Sequence, residues 1–332
     1  MAEEQKKNLI QMPIKDFAKK IICDGHLYVT YNSRKFYVMR PGIFVDSEFI
    51  KKYAVSNQVF EFEPVVSFEV KEKFKNFFKE LRFLKQEKQI REKCEEIIRL
   101  FFDFYSGDNH FLTFALACYE EFCLVSPDTQ EKIHEVDLYL FRKSFYASAF
   151  SVIIAMANNF FHHSMLKDFY NLTFCLDIGL CDKNYSYYVA VACNYENQKP
   201  GTGLAYLESN GASALEKRVF LNHPEKSYEF IIQSNILSYS ELAETILYQH
   251  ELSDGSGFPR GIPKSQVSNW EAVTILSESM VEIIKAYHFE TSVVEYMKQF
   301  KNSKITDLPI ARVYKKLKLV MDYICSQREV AS

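Results

Sequence analysis

The sequence predicts a mainly α protein with a small β-rich module at its N-terminus. Three observations carry this. β-formers cluster around turn residues only within 1–69, in "HLYVTY", "KFYVM" and "QVFEFEP". From residue 71 the apolar positions recur at intervals of three and four, the period of a helix with one buried face. Ser238–Glu241 and Ser268–Glu271 both have the Ser-x-x-Glu form that opens helices. The expected division is a β-rich module at 1–69, a helical linker or regulatory segment at 70–149 and an all-helical domain at 150–332.

Within the module, "NSR" (32–34) and "RPG" (40–42) read as turns. The stretch 58–70, "QVFEFEPVVSFEV", alternates apolar and acidic residues up to Pro64 and predicts a hairpin with a solvated face. Phe74, Phe77, Phe78, Leu81, Leu84, Ile90, Cys94, Ile97, Ile98 and Phe101 predict one long amphipathic helix over 71–105, capped near Gly107. A helix near 110–124 follows, and Ser126-Pro127 starts another, with serine as cap and proline at the first helical position. "FSVIIAMANNFF" (150–161) reads as a core helix, 194–214 as the most irregular piece of this half, and a last helix follows Pro309.

Composition excludes several classes. Apolar content of 48% and charged content of 25% are ordinary for a globular chain. A net charge of −3 gives no basic footprint for DNA. The eight cysteines form no C-x-x-C pair and several sit in apolar runs, which reads as reduced thiols rather than a disulfide framework. "MAEEQKKNLIQMP" has no apolar signal region, and no uncharged run reaches the roughly 18 residues a membrane span needs. A cytoplasmic protein without a membrane partner is expected.

Of the histidines, His26, His110, His134 and His288 have no acidic or histidine partner at ligand spacing and read as surface or satisfied core residues. His162 and His163 are neighbours, and adjacent helical side chains point about 100° apart, so only one can face a given site. His223 precedes Pro224 at an expected helix start, His250 ends a helix and Glu278 lies within one. None makes a short ligand motif, so a shared site and a set of satisfied polar residues both stay open.

The sharp polar turn behind His250 is more specific. In "YQHELSDGSGFPRGI" (248–262) the glycines of "DGSG" call for positive φ and Pro259 fixes the exit. A stiff helix connection would look like this, and so would a loop presenting Phe258 and Arg260. The segment resembles the signature of the HD-GYP family, in outline H-H-E-R-x-D-G-x-G-Y-P-x-G. His250, Glu251, Asp254, Gly255, Gly257, Pro259 and Gly261 match it, and Phe258 stands in for the tyrosine. The likeness covers roughly 150–290.

That resemblance implies an all-helical HD-type domain whose relatives cleave cyclic di-GMP with two or three iron or manganese ions held by histidines and carboxylates. It places His163, His223, His250 and Glu278 on ligand positions. It also implies losses. The H-D pair falls, by gapless counting back from His223, on Asn194-Tyr195 and its following lysine on Gln198. The first histidine of the H-H pair is Gln249, and the upstream glutamate of three-metal members is Asn159. "LDIGL" (176–180) has the outline of H-D-I-G-K, but alignment puts it in a turn between two earlier helices, so Asp177 stays outside the expected site.

A bridging anion is what holds two divalent cations about 4 Å apart. A tyrosine, with an ordinary pKa of about 10, does not supply one, and amides are poor ligands for transition metals. The remnant set therefore suits one iron or manganese ion at most, or none, and no other cofactor is expected. The resemblance then implies a catalytically inactive HD-GYP-like signalling protein. It would act by binding a diguanylate cyclase or other signalling protein through the loop of Asp254, Gly255, Gly257, Phe258, Pro259 and Arg260, or by binding cyclic di-GMP in the cleft. The alternatives are a cyclic di-GMP phosphodiesterase with a reworked site and a helical scaffold without a nucleotide link.

Overall fold

The computed structural model describes residues 9–54, 59–103, 110–181, 187–198, 201–251, 254–263, 268–286 and 312–319. The chain is mainly α with a small N-terminal sheet, as its patterning predicts. Strands β1 (Ile10–Pro13), β2 (Gly25–Tyr31), β3 (Arg34–Met39) and β4 (Val59–Pro64) form one antiparallel sheet in the order β1-β4-β2-β3. Asn32 and Ser33 join β2 to β3 with φ of 49° and 62°, the left-handed pair that a tight hairpin turn needs. Leu27, Phe60 and Phe62 bury one sheet face against Phe17 of α1 (Ile14–Phe17), with Phe49 of α2 (Ser47–Ala54) beside them.

Of the stretch 58–70 expected as a hairpin, the described residues 59–70 form a strand and the start of a helix instead. Pro64 ends β4, and the Ser67 side chain accepts from Val70 N–H to start α3 (Phe68–Leu81). The single helix expected over 71–105 is two, α3 and α4 (Glu87–Asp103), with Gly107 outside the described residues. The break contains neither proline nor glycine, so tertiary contacts decide it. Arg82 is held at the turn by Glu121, 2.5 Å away, and both apolar faces pack on α5 (His110–Phe122), which one straight rod could not arrange.

The α6 helix (Pro127–Val136) has its Ser126 cap, and α7 (Leu138–Ala157) follows. The expected division at 149/150 falls inside α7, and one apolar core runs from Val70 on α3 through α7 to Leu276 on α12 (Asn269–Ala286). The stretch Leu140–Ala157 is long and apolar enough to cross a membrane, but 94% of it is buried inside the protein. It is the central helix of the core. No disulfide links the described cysteines; Cys325 lies outside them.

Beyond α7 come α8 (His163–Phe174), α9 (Tyr187–Gln198), α10 (Thr202–Ser209) and α11 (Ala214–Ser234). The stretch expected to be irregular, 194–214, is thus largely helical, turning at Gly201 with φ of 80°. Ser268 and Glu271 cap α12 reciprocally, as their spacing predicts. Ser238–Glu241 does not form such a box. The buried Asp168 carboxylate accepts from Ser238 and Tyr239 N–H instead, and the following segment, Ser240–Tyr248, is a 3₁₀ helix. Residues 312–319 are helical, consistent with a last helix after Pro309.

Candidate functional site

Helix α11 carries His223 in its interior, not at its start, with Pro224 beside it. Proline has no N–H, so the carbonyl four residues back, Phe220 O, loses its helical donor. His223 Nδ1 sits 2.5 Å from that oxygen and fills the gap. This contact fixes the ring with Nε2 facing inward. His223 is fully buried.

Three groups meet that nitrogen. Gln249 Nε2 lies 2.8 Å from it, His250 Nε2 3.1 Å and Asp177 Oδ1 3.4 Å. Asp177 reaches this point because Gly179 lets the short 3₁₀ turn Ile178–Leu180 sit directly on α11. A Cβ at Gly179 would lie 2.2 Å from His223 O. Gly179 N–H also donates to Ser227 Oγ at 2.9 Å.

Asp177 has a second partner. Lys143, on apolar α7 and fully buried, places its ammonium 2.6 Å from Asp177 Oδ2 and in contact with Glu278 Oε1 of α12. Burial alone would pull the Lys143 pKa down, but the two carboxylates outweigh it and hold the ammonium well above its ordinary value. Burial likewise opposes the charge on Asp177, yet Lys143 and His223 hold its carboxyl well below the usual range. His250 is pushed well below its ordinary value, first by burial and then by His223.

Lone pairs of Asp177, His223 and His250 lie within 4.8 Å of one another. Asp177 Oδ1 and Gln249 Oε1 are buried oxygens that accept no hydrogen bond. Two imidazoles and one carboxylate oxygen suit one first-row transition ion. They do not suit two, because Asp177 Oδ2 and Glu278 already share an ammonium. Two carboxylates and one ammonium leave a single negative charge in the cluster.

The sequence expectations divide accordingly. His223, His250, Gln249 and Glu278 come together, Glu278 through Lys143 rather than through a histidine. His163 does not join them. It starts α8, where its Nε2 meets Arg82 Nε at 3.0 Å and Glu121 Oε1 at 3.2 Å. Tyr195 does not either. It is 44% exposed and stacks on Tyr206, because two helices, α9 and α10, intervene between Asp177 and His223 and defeat a fixed count. Asn159 is exposed with φ of 69°, closing α7 in a left-handed turn. The side chains of Asn194 and Gln198 lie outside the described residues.

Asp177 and Lys143 are the two residues that sequence reasoning missed. Both left a trace. "LDIGL" keeps the aspartate and glycine of H-D-I-G-K. Lys143 lies in a helix that is apolar on all sides, where a charge has no solvent to face.

The turn behind His250 forms one wall of the cluster. Phe258 stacks on His250 with ring centres 4.6 Å apart, and Phe258 N–H donates to His250 O. Glu251, 1% exposed, accepts from Arg260 N–H at 2.7 Å and Ile262 N–H at 2.6 Å. Asp254 accepts from Ser256 N–H, the Phe258–Pro259 peptide is cis, and positive φ falls on Gly255 and Gly261 rather than on Gly257. Arg260 is exposed, its guanidinium 5.7 Å from the centre of the Tyr248 ring.

No protein-family model matches the chain, and no curated protein does. Among solved structures it is similar to "Bd1817, a HDG"Y"P protein from Bdellovibrio bacteriovorus", at 12% identity and a TM-score of 0.36, over 91% of this chain and 96% of that one.

Proposed function

We propose that the protein is a hydrolytically silent, HD-GYP-like signalling module that acts by binding. Its ligand is cyclic di-GMP, or a signalling protein such as a diguanylate cyclase, met at the rim formed by residues 254–261. The observation that carries the reading is the Lys143 ammonium between Asp177 and Glu278. Activating a hydroxide between two cations needs both carboxylates free to hold metal, and here they hold an amine. Asp177, His223 and His250 could hold one iron or manganese ion, which when bound would polarise a phosphoryl oxygen. Around it, His223 keeps its ring oriented through Phe220 O, Phe258 excludes water from His250, and Arg260 beside Tyr248 offers a guanidinium and a ring face to a phosphate and a base.

The test is incubation of manganese- or iron-loaded protein with cyclic di-GMP, followed chromatographically, with calorimetry in parallel. Binding weakened by Arg260→Ala, without linear pGpG or GMP, is the expected result. Turnover would replace this reading with a phosphodiesterase working from the Asp177–His223–His250 set. Absence of both binding and turnover leaves only the protein-partner form, which a pull-down with candidate cyclases must then show.

A further inference from the structure

We infer that Lys143 is a tethered cation: its ammonium stands in for a metal ion, and its removal would open a second divalent-cation site between Asp177 and Glu278. The two ends of Asp177 carry the inference. Oδ2 binds the Lys143 ammonium at 2.6 Å, while Oδ1 faces the His223 and His250 imidazoles and accepts no hydrogen bond. One carboxylate thus spans two cation positions, one filled from within the chain and the other lined by metal-binding nitrogens. Glu278 completes the filled position from α12.

A merely structural ion pair is a weak explanation for this arrangement. Buried pairs rarely stabilise more than apolar residues of the same volume would. Lys143 is also surrounded on α7 by buried apolar residues, among them Phe141, Phe145, Ala147 and Phe150. Such a side chain is expected where a positive charge is required at one point, and two carboxylates on separate elements define that point. The fixed charge also sets the capacity of the cluster, since a divalent ion beside an ammonium is repelled, whereas two carboxylates without it attract one. This inference concerns the cluster used in the proposed function, but its test reads metal uptake rather than binding or hydrolysis, so the two can fail separately.

The experiment compares full-length protein with Lys143→Ala and Lys143→His by elemental analysis and thermal melting, in chelator and with manganese, zinc or magnesium. Wild type is expected to take up one equivalent at most. Each variant should melt lower in chelator. With metal, each should gain about one further equivalent and about 4 °C or more in Tm. Adding Glu278→Gln to either variant should abolish the gain. Lys143→His keeps a donor in the gap and serves if the alanine variant does not fold. The inference is overturned if neither variant takes up more metal than wild type, if wild type itself holds two ions, or if neither variant folds with any of the metals.

Discussion

The smallest unit with a functional meaning here is a dipeptide. In His223-Pro224 the proline removes a donor and the histidine supplies one, so a defect in α11 becomes the device that aims an imidazole. Pro224→Ala should restore a backbone N–H for Phe220 O and repair the helix. Stability in urea should hold or rise, since an interior proline costs about 3 kcal/mol. Zinc or manganese affinity of the His223 set should fall about tenfold or more, because the ring loses its orienting partner. A competition titration with a chromophoric chelator measures the second effect. An unchanged affinity would mean that the Phe220 contact does not orient the ring. The dipeptide was visible in the sequence, but its position inside a helix was not, because proline is ordinarily read as a helix start.

At the level of elements, the decisive contact is the 3₁₀ turn Ile178–Leu180 lying on α11. Periodicity reveals helices and strands and has little to say about a three-residue turn, and this is where Asp177 was lost from the expected site. Gly179 was the available sign, a glycine tolerated only because another backbone passes close by. Gly179→Ala would place a methyl against His223 O and Ser227 N and force the two elements apart. A loss of about 1–3 kcal/mol is expected, the usual cost of overpacking, together with weaker metal uptake as Asp177 withdraws. Denaturant unfolding gives the first and the same chelator titration the second. The HELSDGSGFPRG turn was far more legible, since so many of its residues serve the backbone. Asp254 sets the Ser256 turn, Glu251 holds two amides, and Gly255 and Gly261 supply positive φ.

For the whole molecule, the architecture was legible because it follows from apolar period, and the pairing of charges was not, because it depends on distant elements. Lys143, Asp177 and Glu278 are far apart in sequence and meet only once α7, the 3₁₀ turn and α12 have packed. The split of α3 from α4 failed to show for the same reason, with no local breaker to mark it. Buried histidines give a global pH dependence. Burial is the main cause that lowers His134, His163 and His250 below their ordinary value. The unfolded chain then binds protons more readily than the folded one near its own pKa of about 6.5, so their contribution is complete above that pH and is lost as pH falls toward the folded values. The unfolding free energy from urea titrations should drop between pH 7 and pH 5, by up to about 1.4 kcal/mol per pH unit for each proton taken up only on unfolding. His163→Asn should make that decline shallower. A flat profile would show that these rings gain protons in the folded state as easily as in the unfolded one.

The stack of Phe258 on His250 gives the surface and the interior a common part. A molecule docked on the turn would meet the far side of a ring that itself touches the imidazole. The vault around His250 therefore shares one wall with its own doorstep.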